Sequence, residues 1–184
     1  MPSAFSHAIV ATAIGKVGQP KRVPWWYWAL GAALSAVPDL DVIGFHFGVR
    51  YGDFMGHRGF THSIFFAALL AGLVSIAFIG QDQISRWRLF FCLFLATASH
   101  GVLDAMTNGG LGVAFFSPFS NARYFFPFRP IKVSPIGVGR FLSAKGLTII
   151  RSEALWLWLP SAAVFAVATF IHHLRRREPH AKEQ

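Results

Sequence analysis

Four apolar runs govern what this chain can become: roughly Trp25 to Phe45, Phe60 to Ile79, Arg88 to Ala105 and Ala154 to Leu174. A helix that crosses a bilayer core needs about 20 mainly apolar residues, and each run reaches or approaches that length. A shorter run, Ala4 to Gly15, is followed by Gly18, Pro20, Lys21 and Arg22. At 1.5 Å per residue it would be about 20 Å long. The expected fold class is an all-α membrane protein: four long transmembrane helices plus a short N-terminal helix, with a long aromatic and basic loop before the last helix. Residues 1–174 are expected to form a single integral membrane domain and residues 175–184 a basic polar tail. Composition agrees, because only 14% of residues are charged where a soluble domain carries about 25%.

The remaining composition narrows the partners. Formal net charge is +9, and the basic residues lie between apolar runs, so membrane lipid rather than nucleic acid is the expected partner. The one cysteine, Cys92, rules out a disulfide framework or a cysteine metal cluster. No basic residue precedes Lys16, so no cleavable signal is expected. Trp25, Trp26, Tyr27 and Trp28 read as an aromatic belt at one membrane interface, and Trp156 and Trp158 as a second. Between Thr107 and Ser152, the prolines Pro118, Pro127, Pro130 and Pro135 exclude one continuous helix. Phe115, Phe116, Phe119, Tyr124, Phe125, Phe126 and Phe128 crowd the same stretch, which reads as a lid in the headgroup region. If the first helix crosses, the 17 Lys and Arg divide nine to one side and eight to the other. Arg175, Arg176 and Arg177, with the short loop bearing Arg86 and Arg88, then place the nine-residue side in the cytoplasm. Six basic residues of the long loop face outward, against the usual bias.

Ionisable residues near a bilayer core are expensive and mark function. Here they cluster. The first run ends in Pro38-Asp39-Leu40-Asp41, the second follows His57-Arg58-Gly59-Phe60-Thr61-His62-Ser63, and the third ends in His100-Gly101-Val102-Leu103-Asp104. Alternating spans bring these segments to one membrane face. Glu153 joins them, and so does His7 if the first helix crosses. His100 and Asp104, four apart on a helix, are neighbours. Pro38 disfavours a helical Val37, so an unwound segment is expected to point Asp39 and Asp41 the same way. Thr61 is the expected cap of the next helix, with His57 in a loop and His62 in that helix's first turn. The candidate metal ligands are His7, Asp39, Asp41, His57, His62, His100, Asp104 and Glu153. The mixed nitrogen and oxygen set suits Zn²⁺, Mn²⁺ or Fe²⁺, one or two ions per chain. Asp39, Asp41, His62 and Asp104 are the candidate catalytic residues, and Arg58, Arg123 and Arg129 the candidate substrate-binding residues.

At these residues the chain resembles the family of bacterial inner-membrane metal-dependent hydrolases that includes the LexA-regulated members. The matching pieces are His7 with its Gly-containing apolar helix, Pro38-Asp39-Leu40-Asp41, His57-Arg58-Gly59-x-Thr61-His62-Ser63, and His100-x-x-x-Asp104. Ser117-Pro118-Phe119-Ser120 with Arg123-Tyr124 also matches. The resemblance implies a multi-pass helical protein of the bacterial inner (cytoplasmic) membrane, assigned as a hydrolase. The expected function is hydrolysis of a lipid or lipid-linked (phospho)ester by metal-activated water, with the metal site at the periplasmic face. The alternatives are a metal or anion transporter and a non-catalytic membrane module with a structural metal.

Overall fold

The computed structural model describes residues 1–18, 22–78, 84–134 and 144–177. Pro20, Lys21, Ile79, Pro135, Arg140 and the tail beyond residue 177 lie outside the described residues. Six α-helices are described: α1 (Ala4–Gly18), α2 (Trp25–Ala36), α3 (Ile64–Ala77), α4 (Arg86–Ala105), α5 (Ala144–Glu153) and α6 (Leu159–Arg177). A 3-10 helix, Val37–Phe47, continues α2, a 3-10 turn, Phe60–His62, precedes α3, and a π segment, Ala154–Trp158, joins α5 to α6. Among the described residues there are no strands, and extended pairing is limited to two isolated bridges, Thr107 with Ile131 and Val113 with Tyr124.

Three helical stretches are long and apolar enough to cross a membrane: Trp25–Phe47, Arg86–Ala105 and Gly146–Arg175. The expected second long helix is shorter than its apolar run. It begins at Ile64 because Ser63 Oγ accepts a hydrogen bond from the Phe66 amide at 3.0 Å, and it gives 14 residues. The cap is therefore Ser63, not Thr61, and His62 closes the 3-10 turn before the helix.

The middle of the bundle is α4. Its membrane-length window is 56% buried, against 17% for each of the other two. It packs on α1, α2 and α3, while α1 also lies against α2 and α6. Ala11, Ala13 and Gly15 on α1 and Ala96, Gly101 and Ala105 on α4 are buried. Small side chains let helices approach closely where lipid removes the hydrophobic drive for association. Tyr27, Leu34, Ala71, Leu89 and Leu93 belong to one apolar cluster, and Leu103, Ile131 and Leu157 to a second.

Residues 107–134 form a cap over one end of the bundle. Its backbone is tied down by Ile64 N to Phe115 O (3.1 Å), Ala114 N to Arg58 O (3.0 Å) and Phe126 N to Ala105 O (3.0 Å). Lys132 N donates to Ser152 Oγ at 3.0 Å, which fastens the cap to α5. Val113 and Ile131 are fully buried beneath it.

Candidate metal centre

The centre begins at Pro38. Val37 stays right-handed helical (φ −53°, ψ −40°), so the expected unwinding does not occur. The chain instead tightens into the 3-10 helix, whose first turn accepts a proline because its missing N–H has no partner to lose. Three residues per turn set Asp39 and Asp41 about 120° apart. They do not point the same way, but they bracket one imidazole: Asp39 Oδ1 lies 3.7 Å from His62 Nε2, and Asp41 Oδ2 lies 3.2 Å from His62 Nδ1.

Asp39, His62, His100 and Asp104 converge. His62 Nε2 is 3.1 Å from His100 Nε2 and 3.5 Å from Asp104 Oδ2, and His100 Nε2 is 3.2 Å from Asp39 Oδ1. Four donors about 2.1 Å from a tetrahedral ion stand about 3.4 Å from one another, so these separations match a metal cage. Hydrogen bonding agrees. His100 Nδ1 lies 2.7 Å from the Ser35 carbonyl, so it carries a proton there and turns Nε2 towards the cluster. Asp41 fixes His62 in the same way from the Nδ1 side. With both rings neutral, the two bare nitrogens 3.1 Å apart could hold a cation between them; without one, a proton shared between them satisfies the same contact.

Satisfaction of the carboxylates separates their roles. Neither oxygen of buried Asp104 accepts a hydrogen bond in good geometry, although Arg58 Nε lies 3.0 Å from Oδ2 and the Met1 ammonium 4.0 Å from Oδ1, and Asp39 Oδ2 also has no donor. Asp41 is saturated: His57 Nδ1 at 2.7 Å on Oδ1, with the Thr61 hydroxyl at 2.8 Å and the Arg58 amide at 3.3 Å on Oδ2. A buried acceptor without a donor is costly. Asp39 and Asp104 therefore suit direct metal coordination, and Asp41 suits orientation of His62 and His57. Asp41, His57 and His62 also form a second group with ligand spacing, but its carboxylate is already occupied. His7 is fully buried and stacks on His100 (centroids 3.8 Å, 14° between planes), with Nε2 at 4.0 Å from Asp104 Oδ1.

Two arginines expected to hold a substrate anion are engaged within the protein. Arg58 is fully buried, with Nε 3.0 Å from Asp104 Oδ2, and donates to the Gly109 and Leu111 carbonyls and to Thr107 Oγ1. Although it is not glycine, it adopts a left-handed backbone, φ 65°, a conformation retained where surroundings enforce it. Arg123 donates to the carbonyls of His57, Gly112, Tyr51 and Asp53 and so ties the 50–59 loop to the cap. Arg129 is exposed, with its guanidinium over the Phe125 ring at 4.9 Å. Glu153 is also reassigned: its carboxylate accepts from Ser3 N, Ser3 Oγ and Ser6 Oγ and belongs to neither ligand group.

Residues 1–176 match the YdjM inner membrane protein family. The chain belongs to this family. Inner membrane protein YbcI of Escherichia coli (strain K12) is 40% identical over 166 residues, 87% of this chain and 92% of that protein. No solved structure matches. The family and the apolar helices agree on an inner-membrane location. In this YdjM-family chain two contributors to the centre escape a sequence scan. Ser35 acts through its backbone carbonyl, which no side-chain pattern reports. Tyr51 packs edge-on against His57, with centroids 5.1 Å apart. Burial raises the Tyr51 hydroxyl pKa, opposed by the nearby Arg58 charge, so the ring stays neutral. Its proximity to Gly56 and Gly59 in the loop was the available signal.

Proposed function

We propose that this protein is a membrane-bound metal-dependent hydrolase that uses one divalent ion and acts on a lipid or lipid-linked ester or phosphoester. The observation that carries the proposal is the convergence of Asp39, His62, His100 and Asp104, with bare carboxylate oxygens, from three chain segments. Charge supports a single ion. Asp39, Asp41 and Asp104 bring three negative charges, against Arg58 and the Met1 ammonium 4.0 Å from Asp104 Oδ1, so one divalent cation is enough to offset the remaining negative charge. Two would leave an excess of positive charge in a buried site, which is expensive. In such a site a divalent ion lowers the pKa of water towards about 7 and polarises the scissile group.

The chain's own residues divide the remaining work. Asp41 holds His62 in the tautomer that presents Nε2, and the Ser35 carbonyl does the same for His100. Arg58 balances Asp104. Asp39, at 12% side-chain exposure, is the least sealed of the four and would mark the side of access. Arg129, exposed on the cap, is a basic residue that would meet an anionic headgroup.

Elemental analysis of purified protein, followed by chelation and reloading, tests this. About one Zn, Mn or Fe per chain is expected, together with chelator-sensitive release of product from lipid ester or phosphoester substrates. Protein free of metal and refractory to loading would overturn the proposal, because two protonated imidazoles would then balance the same charge. A second reading, a structural metal, is favoured by the four protein donors, the number that closes a structural zinc site. Cobalt-loaded protein separates the two: an added anion changes the visible spectrum of an open site and leaves a closed one unchanged.

A further inference from the structure

The cap and the end of the 3-10 helix carry largely exposed aromatic side chains. Phe119 is 83% exposed and Phe47, at the end of the 3-10 helix, 81%, with Phe116 and Phe128 also exposed. A rim of this kind on a cap otherwise fixed by backbone hydrogen bonds marks an interaction surface. Its two flanks show what it meets. On one, Phe119 packs edge-on against Phe65 of α3, with centroids 5.9 Å apart. Phe65 belongs to the outward stripe Ile64, Phe65, Leu69, Leu73 and Ile76, all exposed and spaced along one helix face. On the other, Phe128 packs edge-on against Trp156 at 5.2 Å. Trp156 sits with exposed Leu155 and Leu159 at the start of the apolar face of α6. The rim is thus continuous with outward apolar faces on two sides of the bundle.

We propose that Phe47, Phe116, Phe119 and Phe128 seat the cap in the boundary between headgroups and acyl chains of the bilayer that the helices enter. Aromatic rings favour that layer. The charges nearby fit the same partner: Arg129 and Lys132 are exposed on the cap, where they meet anionic lipid phosphates. A soluble protein partner would not account for the rim's continuity with α3 and α6. The seat rests on the inner-membrane location and on no step of the proposed hydrolysis.

Site-directed spin labelling in nanodiscs containing anionic lipid tests it. Phe119→Cys and Phe47→Cys are made in a Cys92→Ala background, with Asp53→Cys as an exposed-loop reference. Both side chains being largely exposed, neither substitution opens the core. Power saturation compares relaxation by oxygen, which concentrates in lipid, with relaxation by a water-soluble nickel chelate. The oxygen-to-nickel accessibility ratio at positions 47 and 119 is expected to exceed that at 53 several-fold. A ratio like that at 53 would put the rim in water and overturn the proposal. Shielding from both reagents would mean a protein covers the rim, and would overturn it equally.

Discussion

At the level of single residues, Asp104 and Asp41 are both buried carboxylates beside His62, yet they should respond differently to loss of charge. Asp104 is the partner of Arg58 Nε and a carboxylate with no hydrogen-bond donor of its own. Asp104→Asn is expected to abolish stoichiometric metal and to destabilise the fold by about 3–5 kcal/mol, because Arg58 is left buried without its counter-ion. Elemental analysis and thermal unfolding in detergent check both halves, and full occupancy in the variant would remove Asp104 from the ligand set. Asp41→Asn keeps the size and some of the hydrogen bonds. It should retain about one metal per chain but bind it about 10–100-fold more weakly, the usual effect of losing a carboxylate that orients a ligating histidine. Competition with a chromophoric chelator measures that affinity. Unchanged affinity would make Asp41 a bystander.

At the level of elements, the contact between α4 and the turn before α3 is set by Gly101. A Cβ there would stand 2.7 Å from the His62 carbonyl oxygen, a backbone atom that cannot swing aside. Gly101→Ala is expected to push α4 and the 3-10 turn apart, lowering stability by about 1–3 kcal/mol and metal affinity with it. A wild-type melting temperature and affinity would show that the two segments slide freely. These same elements show what was legible beforehand. His100 and Asp104, four apart, met as helical neighbours must, and alternation of the runs brought the Asp39, His62 and Asp104 segments to one end. The route from Ala36 to Phe47 was not legible, since Pro38 is compatible both with an unwound Val37 and with a tighter helix. Nor was the fate of Arg58 and Arg123: a sequence records a guanidinium but not the carbonyl oxygens that a folded loop turns towards it. Glu153 was drawn away by Ser3 and Ser6, residues whose short side chains gave no sign of a distant partner.

For the molecule as a whole, the 50–59 loop and the cap behave as one body, because Arg123 donates to the Tyr51 and Asp53 carbonyls. Single cysteines at exposed Gly52 and Ser120 should therefore react with an impermeant reagent from the same side of the membrane, the periplasmic side on the charge assignment proposed above. Reaction from opposite sides would dismantle the centre; reaction of both from the cytoplasm would only invert it. Metal should also stabilise the entire fold, since its donors come from segments far apart in sequence. At free metal about 100 times the dissociation constant the gain is about 2.7 kcal/mol. Melting with and without chelator reads it directly, and coincident curves would mean that the ion contributes nothing to the native state.

The hydrogen bonds from Ser3 and Ser6 to Glu153 join residues 150 and 147 positions apart in the sequence, and they give assembly a clock. During synthesis His7 is made well before the carboxylate that anchors its helix. At about 5–20 residues per second, roughly 150 residues take about 8–30 s. Over that interval α1 lacks its terminal tether, and the stack of His7 on His100 cannot be locked. The four candidate donors are all made once synthesis reaches Asp104, but the tether that holds the start of α1 arrives only with α5. An ion bound before that point would meet the four donors while His7 was not yet locked against His100.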